Sequence, residues 1–136
     1  MFLDSDAEVL QYPNLFDSVP PEFNFACHIL DRNKWYNVQF NDTESHELLS
    51  GTLFVRNCPE SIRIVEEWNL SCKISNLWEQ KVLAAVLKKN NVSVYELPLS
   101  YCYIKTMPNG DEPFIKCDNP VIVHNQVSRV LKNTIN

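Results

Sequence analysis

The chain has 136 residues, enough for one domain with a modest core, and its 45% hydrophobic and 21% charged residues are ordinary globular proportions. A formal charge of −5 argues against a general nucleic-acid or anionic-membrane surface. Only 2 glycines occur, Gly51 and Gly110, which excludes both a Walker loop and a G-x-G-x-x-G dinucleotide turn.

The first nine residues are the most informative. Phe2-Leu3 reads as a short strand that runs straight into Asp4-Ser5-Asp6. In open α/β sheets ligands sit outside the carboxyl ends of strands, and two carboxylates one residue apart there supply hard oxygen ligands for Mg²⁺ or Mn²⁺. The plainer alternative is a solvated turn after an edge strand, because Asp and Ser favour turns. Val9 to Asp17, with Pro13 in its middle, reads as a turn or short helical piece that packs Leu15 and Phe16 inward. Val19-Pro20-Pro21 is a stiff connector. Phe23 to Leu30 is apolar enough for a central strand. Asp31 to Ser45 is polar, carries Trp35, Tyr36 and Phe40, and reads as a loop folded over a pocket mouth.

Glu47 to Val55 is the next strand, and Gly51 inside it marks a bulge or a close approach by a ligand or another backbone. Pro59 suits the first turn of a helix to Leu70, with Ile62, Val65 and Trp68 along one side. Leu77 to Lys89 forms a second helix. Trp78, Val82, Ala85 and Val86 share its apolar face, Asn76 and Glu79 make a capping box, and Lys88 and Lys89 favour its last turn. Val92 to Leu97 is a strand, Tyr101 to Ile104 a short extended piece, and Met107 to Asn119 a loop around Asn109-Gly110. Pro120 to His124 is a last strand ending on an imidazole, and Val127 to Lys132 a helical tail. Strands alternating with helices argue an α/β fold. The five cysteines are odd in number and form no C-x-x-C pair, which excludes a zinc knuckle and fits a reducing, cytoplasmic compartment. No stretch reads as a signal peptide or a membrane span.

Several of these pieces, in this order, resemble the GT-A-fold glycosyltransferases, nearest the glycogenin and lipopolysaccharide galactosyltransferase group. Phe2 to Leu10 followed by Leu15-Phe16-Asp17 is similar to that group's Asp-x-Asp strand and its Leu-Phe-Asp. Leu49-Ser50-Gly51-Thr52-Leu53-Phe54 stands where the group has an Asn-x-Gly strand against the donor sugar, with Ser50 in place of the Asn. Glu79-Gln80 stands in place of Asp-Gln, Leu97-Pro98 with Tyr101 resembles Leu-Pro-x-x-Tyr-Asn, and Val121 to His124 resembles the strand whose final His completes the metal site.

The resemblance implies a partial GT-A-like mixed sheet flanked by helices and beginning at the Asp-x-Asp strand. Residues 1–136 would then be a single domain, the C-terminal catalytic and acceptor part, with the nucleotide-binding half supplied by a further segment or a second chain. It implies hexosyl transfer from a nucleotide-diphosphate sugar to a carbohydrate or protein acceptor, with Mn²⁺ or Mg²⁺ held by Asp4, Asp6 and His124. Asp4 also faces the donor ribose, Ser50, Gly51 and Thr52 face the donor sugar, and Arg129 and Lys132 are the cations available to its diphosphate. Glu79 serves as a base or orienting group, and Gln80 lies beneath the anomeric carbon. Two alternatives stand beside it. A haloacid-dehalogenase-like phosphohydrolase also opens with a strand and Asp-x-Asp, but follows the pair with Thr or Gly where this chain has Ala7-Glu8-Val9. A non-catalytic remnant or interaction domain would expose an apolar sheet edge.

Overall fold

The structure, a computed structural model, describes residues 1–126. The expected α/β fold is present as two mixed sheets flanked by helices. The strands are β1 (Phe2–Leu3), β2 (Ala7–Val9), β3 (Phe25–Asp31), β4 (His46–Val55), β5 (Val94–Glu96), β6 (Tyr103–Ile104) and β7 (Ile122–His124). The helices are α1 (Arg32–Tyr36), α2 (Pro59–Ile74) and α3 (Glu79–Lys89). The larger sheet runs β1-β4-β3-β5, antiparallel except for the parallel β3–β5 pair. The smaller runs β2-β7-β6, with β2 antiparallel and β6 parallel to β7.

β3 is paired on both edges and nearly continuously apolar, which is what a strand covered on both faces requires. On one face Phe25, Cys27 and Leu53 pack against Ile64 of α2 and Val82, Leu83, Val86 and Leu87 of α3. On the other, Ala26 meets Val19, Leu97, Tyr101 and Ile122, with Leu15 and Phe16 packed beside them as expected. A third cluster gathers Leu30, Trp35, Leu49, Cys102, Ile104 and Met107.

Several local expectations are corrected. Ala7–Val9 is a strand, with Val9 part of it rather than of the turn that follows; its partner β7 lies more than a hundred residues away and leaves no local signal. The polar stretch after β3 contains α1, whose first turn is capped by the Asp31 carboxylate accepting from the Lys34 amide at 3.1 Å. On α2 it is Ile64 that is buried, while Ile62 is 52% exposed. α3 starts at Glu79 with Trp78 as its N-cap and no side-chain cap bond, so the Asn76–Glu79 capping box does not form. Ala85 is exposed, and Leu83 and Leu87 take the inward positions instead. The expected tail helix, Val127 to Lys132, lies outside the described residues.

Candidate metal centre

The two sheets meet at the Asp4-Ser5-Asp6 turn. β1 pairs with β4 through Leu3 opposite Thr52, and the Asp4 amide then donates to the Gly51 carbonyl at 2.9 Å. The chain turns, with the Ala7 amide donating to the Asp4 carbonyl at 3.0 Å, and enters β2 with Ala7 opposite His124. One turn is thereby fixed to β4 on one side and to the end of β7 on the other. Asp4, Asp6 and His124 each present a ligand atom to the same point, all within 4.8 Å of one another.

Gly51 makes this convergence possible. β4 bulges at this point: Cys27 of β3 faces Leu53, while the next residue, His28, faces Leu49. Ser50, Gly51 and Thr52 therefore lie outside the β3 ladder, as a glycine within a strand led us to expect. A Cβ on residue 51 would sit 2.8 Å from His124 Cε1 and 2.9 Å from Asp4 Oδ2. No side chain fits there without displacing two of the three converging groups.

The imidazole is held from behind. His124 is 1% exposed, and its Nε2 lies 2.9 Å from the Thr52 hydroxyl. Its Nδ1 faces Asp6 Oδ1 at 3.7 Å. With Nε2 carrying the hydrogen and donating to Thr52, Nδ1 offers a lone pair toward the carboxylates. Burial holds the His124 pKa below the ordinary histidine value, against the pull of Asp4 and Asp6, so the ring is neutral at neutral pH and available as a ligand. Asp4 is pushed up, first by burial and then by the charges of Asp6 and Glu79, although His124 pulls it down. Asp6 Oδ1 is buried and has no hydrogen-bond partner. A buried carboxylate oxygen without a donor is costly, and a divalent cation would satisfy it. Two carboxylates and a neutral imidazole form a donor set suited to Mn²⁺ or Mg²⁺, so the residues fit the metal expected here.

The cluster opens on a cavity of about 270 Å³. Asp4, Gly51 and His124 line one part of it, and Arg32, Glu47, Trp78, Gln80 and Lys81 line more. Trp35 and Tyr36 also border it, so the segment read as a loop over a pocket does reach a cavity wall, though Trp35 is only 3% exposed. Gln80 Nε2 donates to Glu47 Oε1 at 2.6 Å, and Arg32 Nε lies 3.9 Å from Glu47 Oε2. The Cys102 thiol also borders the cavity, but burial pushes its pKa up to about 12, so it stays protonated and inert.

The expected site residues therefore separate. Asp4, Asp6, His124, Gly51 and Gln80 come together around the cluster and its cavity. Thr52 and Ser50, expected against the donor sugar, are 0% and 3% exposed; Thr52 serves the imidazole from beneath. Glu79 is exposed and does not line the cavity, although its charge reaches far enough to raise Asp4, and its carbonyl accepts from Trp68 Nε1 at 2.9 Å. Arg129 and Lys132 lie outside the described residues. Sequence reasoning missed Glu47 and Arg32. Glu47 was within reach, because side chains two apart on a strand share a face, and Glu47, Leu49 and Gly51 all border the cavity. Arg32 follows β3 directly but carries no such periodic signal.

Fold and site together define an α/β domain that brings an acid–imidazole cluster, fit for a divalent cation, to the edge of a small polar cavity. The chain matches the family model described as Nucleotide-diphospho-sugar transferase over residues 1–134, and it belongs to that family. Its kind of function is thus glycosyl transfer, with a nucleotide-sugar donor and an acceptor as partners, and the match favours this over the phosphohydrolase alternative. No curated protein matches the chain. Among the described residues no helix is long and apolar enough to cross a membrane.

Proposed function

We propose that this chain is the GT-A-type catalytic part of a metal-dependent hexosyltransferase. The observation that carries the reading is the convergence of Asp4, Asp6 and His124, with Asp6 Oδ1 buried and without a hydrogen bond, at the edge of a cavity. Asp4, Asp6 and His124 Nδ1 would hold Mn²⁺ or Mg²⁺, which when bound supplies Lewis-acid stabilisation of the charge growing on the departing diphosphate. With the imidazole hydrogen on Nε2 and donated to the Thr52 hydroxyl, Nδ1 is left free for the ion. Gly51, with no side chain, lets His124 and Asp4 close in where a Cβ would collide with both. Glu47 holds the Gln80 amide nitrogen, so the Gln80 carbonyl is left for a sugar hydroxyl or for the anomeric face. Glu79, between the cavity-lining Trp78 and Gln80 in sequence, would orient an acceptor or take its proton. Arg129 and Lys132 are assigned to the diphosphate on sequence alone. The five free cysteines support a reducing, cytoplasmic setting.

The test is binding and turnover in one series. The full chain is titrated with nucleoside diphosphates in the presence and absence of Mn²⁺, then assayed for release of nucleoside diphosphate from nucleotide-diphosphate hexoses. The reading expects metal-dependent binding that Asp6→Ala abolishes. Equal binding by wild type and Asp6→Ala would refute it. Metal-dependent binding without any turnover would favour a non-catalytic descendant that keeps the site.

A further inference from the structure

We infer that Trp78 is the platform of a second subsite, which takes a neutral pyranose unit of a saccharide acceptor; this rests on the transferase reading above. The three tryptophans have different surroundings. Trp35 is 3% exposed in the core, Trp68 donates its indole N–H to the Glu79 carbonyl, and Trp78 is 67% exposed. Spacing along α3 would place Trp78 on the buried face with Val82 and Val86, but the helix begins one residue after it.

Trp78 instead occupies the N-cap, with φ −61° and ψ 145°, and makes no capping hydrogen bond. That position favours Ser, Thr, Asn or Asp, and a residue without a capping oxygen forgoes the stabilisation of a cap. Leaving a large indole mostly in water also forgoes the stabilisation that its burial would yield. Two local rules are thus broken at one residue, which has the long Lys81 contact over its ring in return, and such breaks cluster at functional sites.

Its surroundings say what it would meet. Trp78 borders the same cavity as Asp4, Gly51 and His124, and it directly precedes Glu79 and Gln80. A pyranose offers an apolar C–H face and a rim of hydroxyls. The indole matches the first, and the Gln80 carbonyl, Glu47, Arg32 and Lys81 match the second. Lys81 Nζ lies over the ring at 6.0 Å from its centre, a long cation–π contact that sets a charged donor beside the platform. The charged groups lining the cavity balance, with Arg32 and Lys81 against Glu47 and Asp4, which suits a neutral sugar. A donor sugar must stay beside the metal-held diphosphate. The exposed indole is instead placed where a longer saccharide can arrive from solvent.

The experiment presents the full chain, with Mn²⁺ and a nucleoside diphosphate, to an array of neutral and acidic oligosaccharides. Wild type, Trp78→Ser and Trp78→Tyr are compared, and Mn²⁺ affinity and Tm are measured on the same samples. Wild type is expected to bind neutral glycans, Trp78→Tyr to retain that binding, and Trp78→Ser to lose about tenfold. Trp78→Ser should also raise Tm by supplying the missing cap, with Mn²⁺ affinity unchanged. A purely structural tryptophan would lower Tm on replacement. Intact Mn²⁺ binding with no neutral-glycan binding, with acidic glycans alone bound, or with equal binding by Trp78→Ser overturns this inference only. Absence of a Mn²⁺ site in wild type overturns the transferase reading beneath it.

Discussion

The two sides of β4 are built on opposite terms. Toward α2 and α3, Leu53 joins a cluster in which Phe25, Ile64 and Leu83 are 0% exposed and the core members are apolar. At the Gly51 bulge, the same strand meets two carboxylates and an imidazole, one carboxylate raised in pKa and one buried oxygen without a hydrogen bond. The first region is as stable as its packing allows. The second holds like charges close together and is not satisfied by protein atoms alone. The stability of the helical layer lets β4 carry a destabilising arrangement on its other side, as functional sites commonly require.

That contrast gives a series of tests. Leu83→Ala should have the largest effect on stability, about 2–5 kcal/mol in denaturant unfolding, because it leaves a cavity in a close-packed layer. Its Mn²⁺ affinity should stay near wild type while the protein is folded. A collapse of metal binding in the folded variant would show that the two regions are not independent. Gly51→Ala should behave the other way. The new methyl must push His124 and Asp4 apart, at a cost of about 1–3 kcal/mol, and calorimetry should find the Mn²⁺ site gone. Thr52→Val removes the hydroxyl behind the imidazole and leaves the shape nearly unchanged. Metal affinity should fall about tenfold, the scale of lost outer-shell support.

The smallest effect tests electrostatics alone. In the metal-free protein the raised pKa of Asp4 means that ionising it opposes folding once pH exceeds its unfolded value. Asp4→Asn mimics the protonated form. It should therefore raise the apo Tm at neutral pH, and the gain should shrink as pH falls through the Asp4 pKa, where wild type becomes protonated too. With Mn²⁺ added the order should reverse. A gain that is flat with pH would mean that the variant acts through packing rather than charge.

How much of this the sequence disclosed follows from the range of the interactions. β3, β4 and α2 were legible because their signals are local: an apolar run, a glycine inside a strand, a proline at the first helical turn. The converging acids and imidazole could be listed, but their proximity depends on β2 pairing with β7 across the length of the chain. That pairing is written in no window of sequence, and the strand Ala7–Val9 was missed for the same reason. Trp78 was misplaced because helical spacing fixes which residues share a face only inside the helix, and α3 starts after it. Glu47 was overlooked although the two-residue repeat of its strand pointed to it.

The account stands on Asp4, Asp6 and His124 Nδ1 binding one divalent ion together. Pulsed electron paramagnetic resonance of the Mn²⁺-loaded protein reads this directly, through the magnetic coupling between the ion and a ligating nitrogen. One Mn²⁺ per chain is predicted, coupled to a single imidazole nitrogen, with that coupling lost in His124→Ala. A bound Mn²⁺ with no nitrogen coupling, or a coupling that survives in His124→Ala, would contradict it.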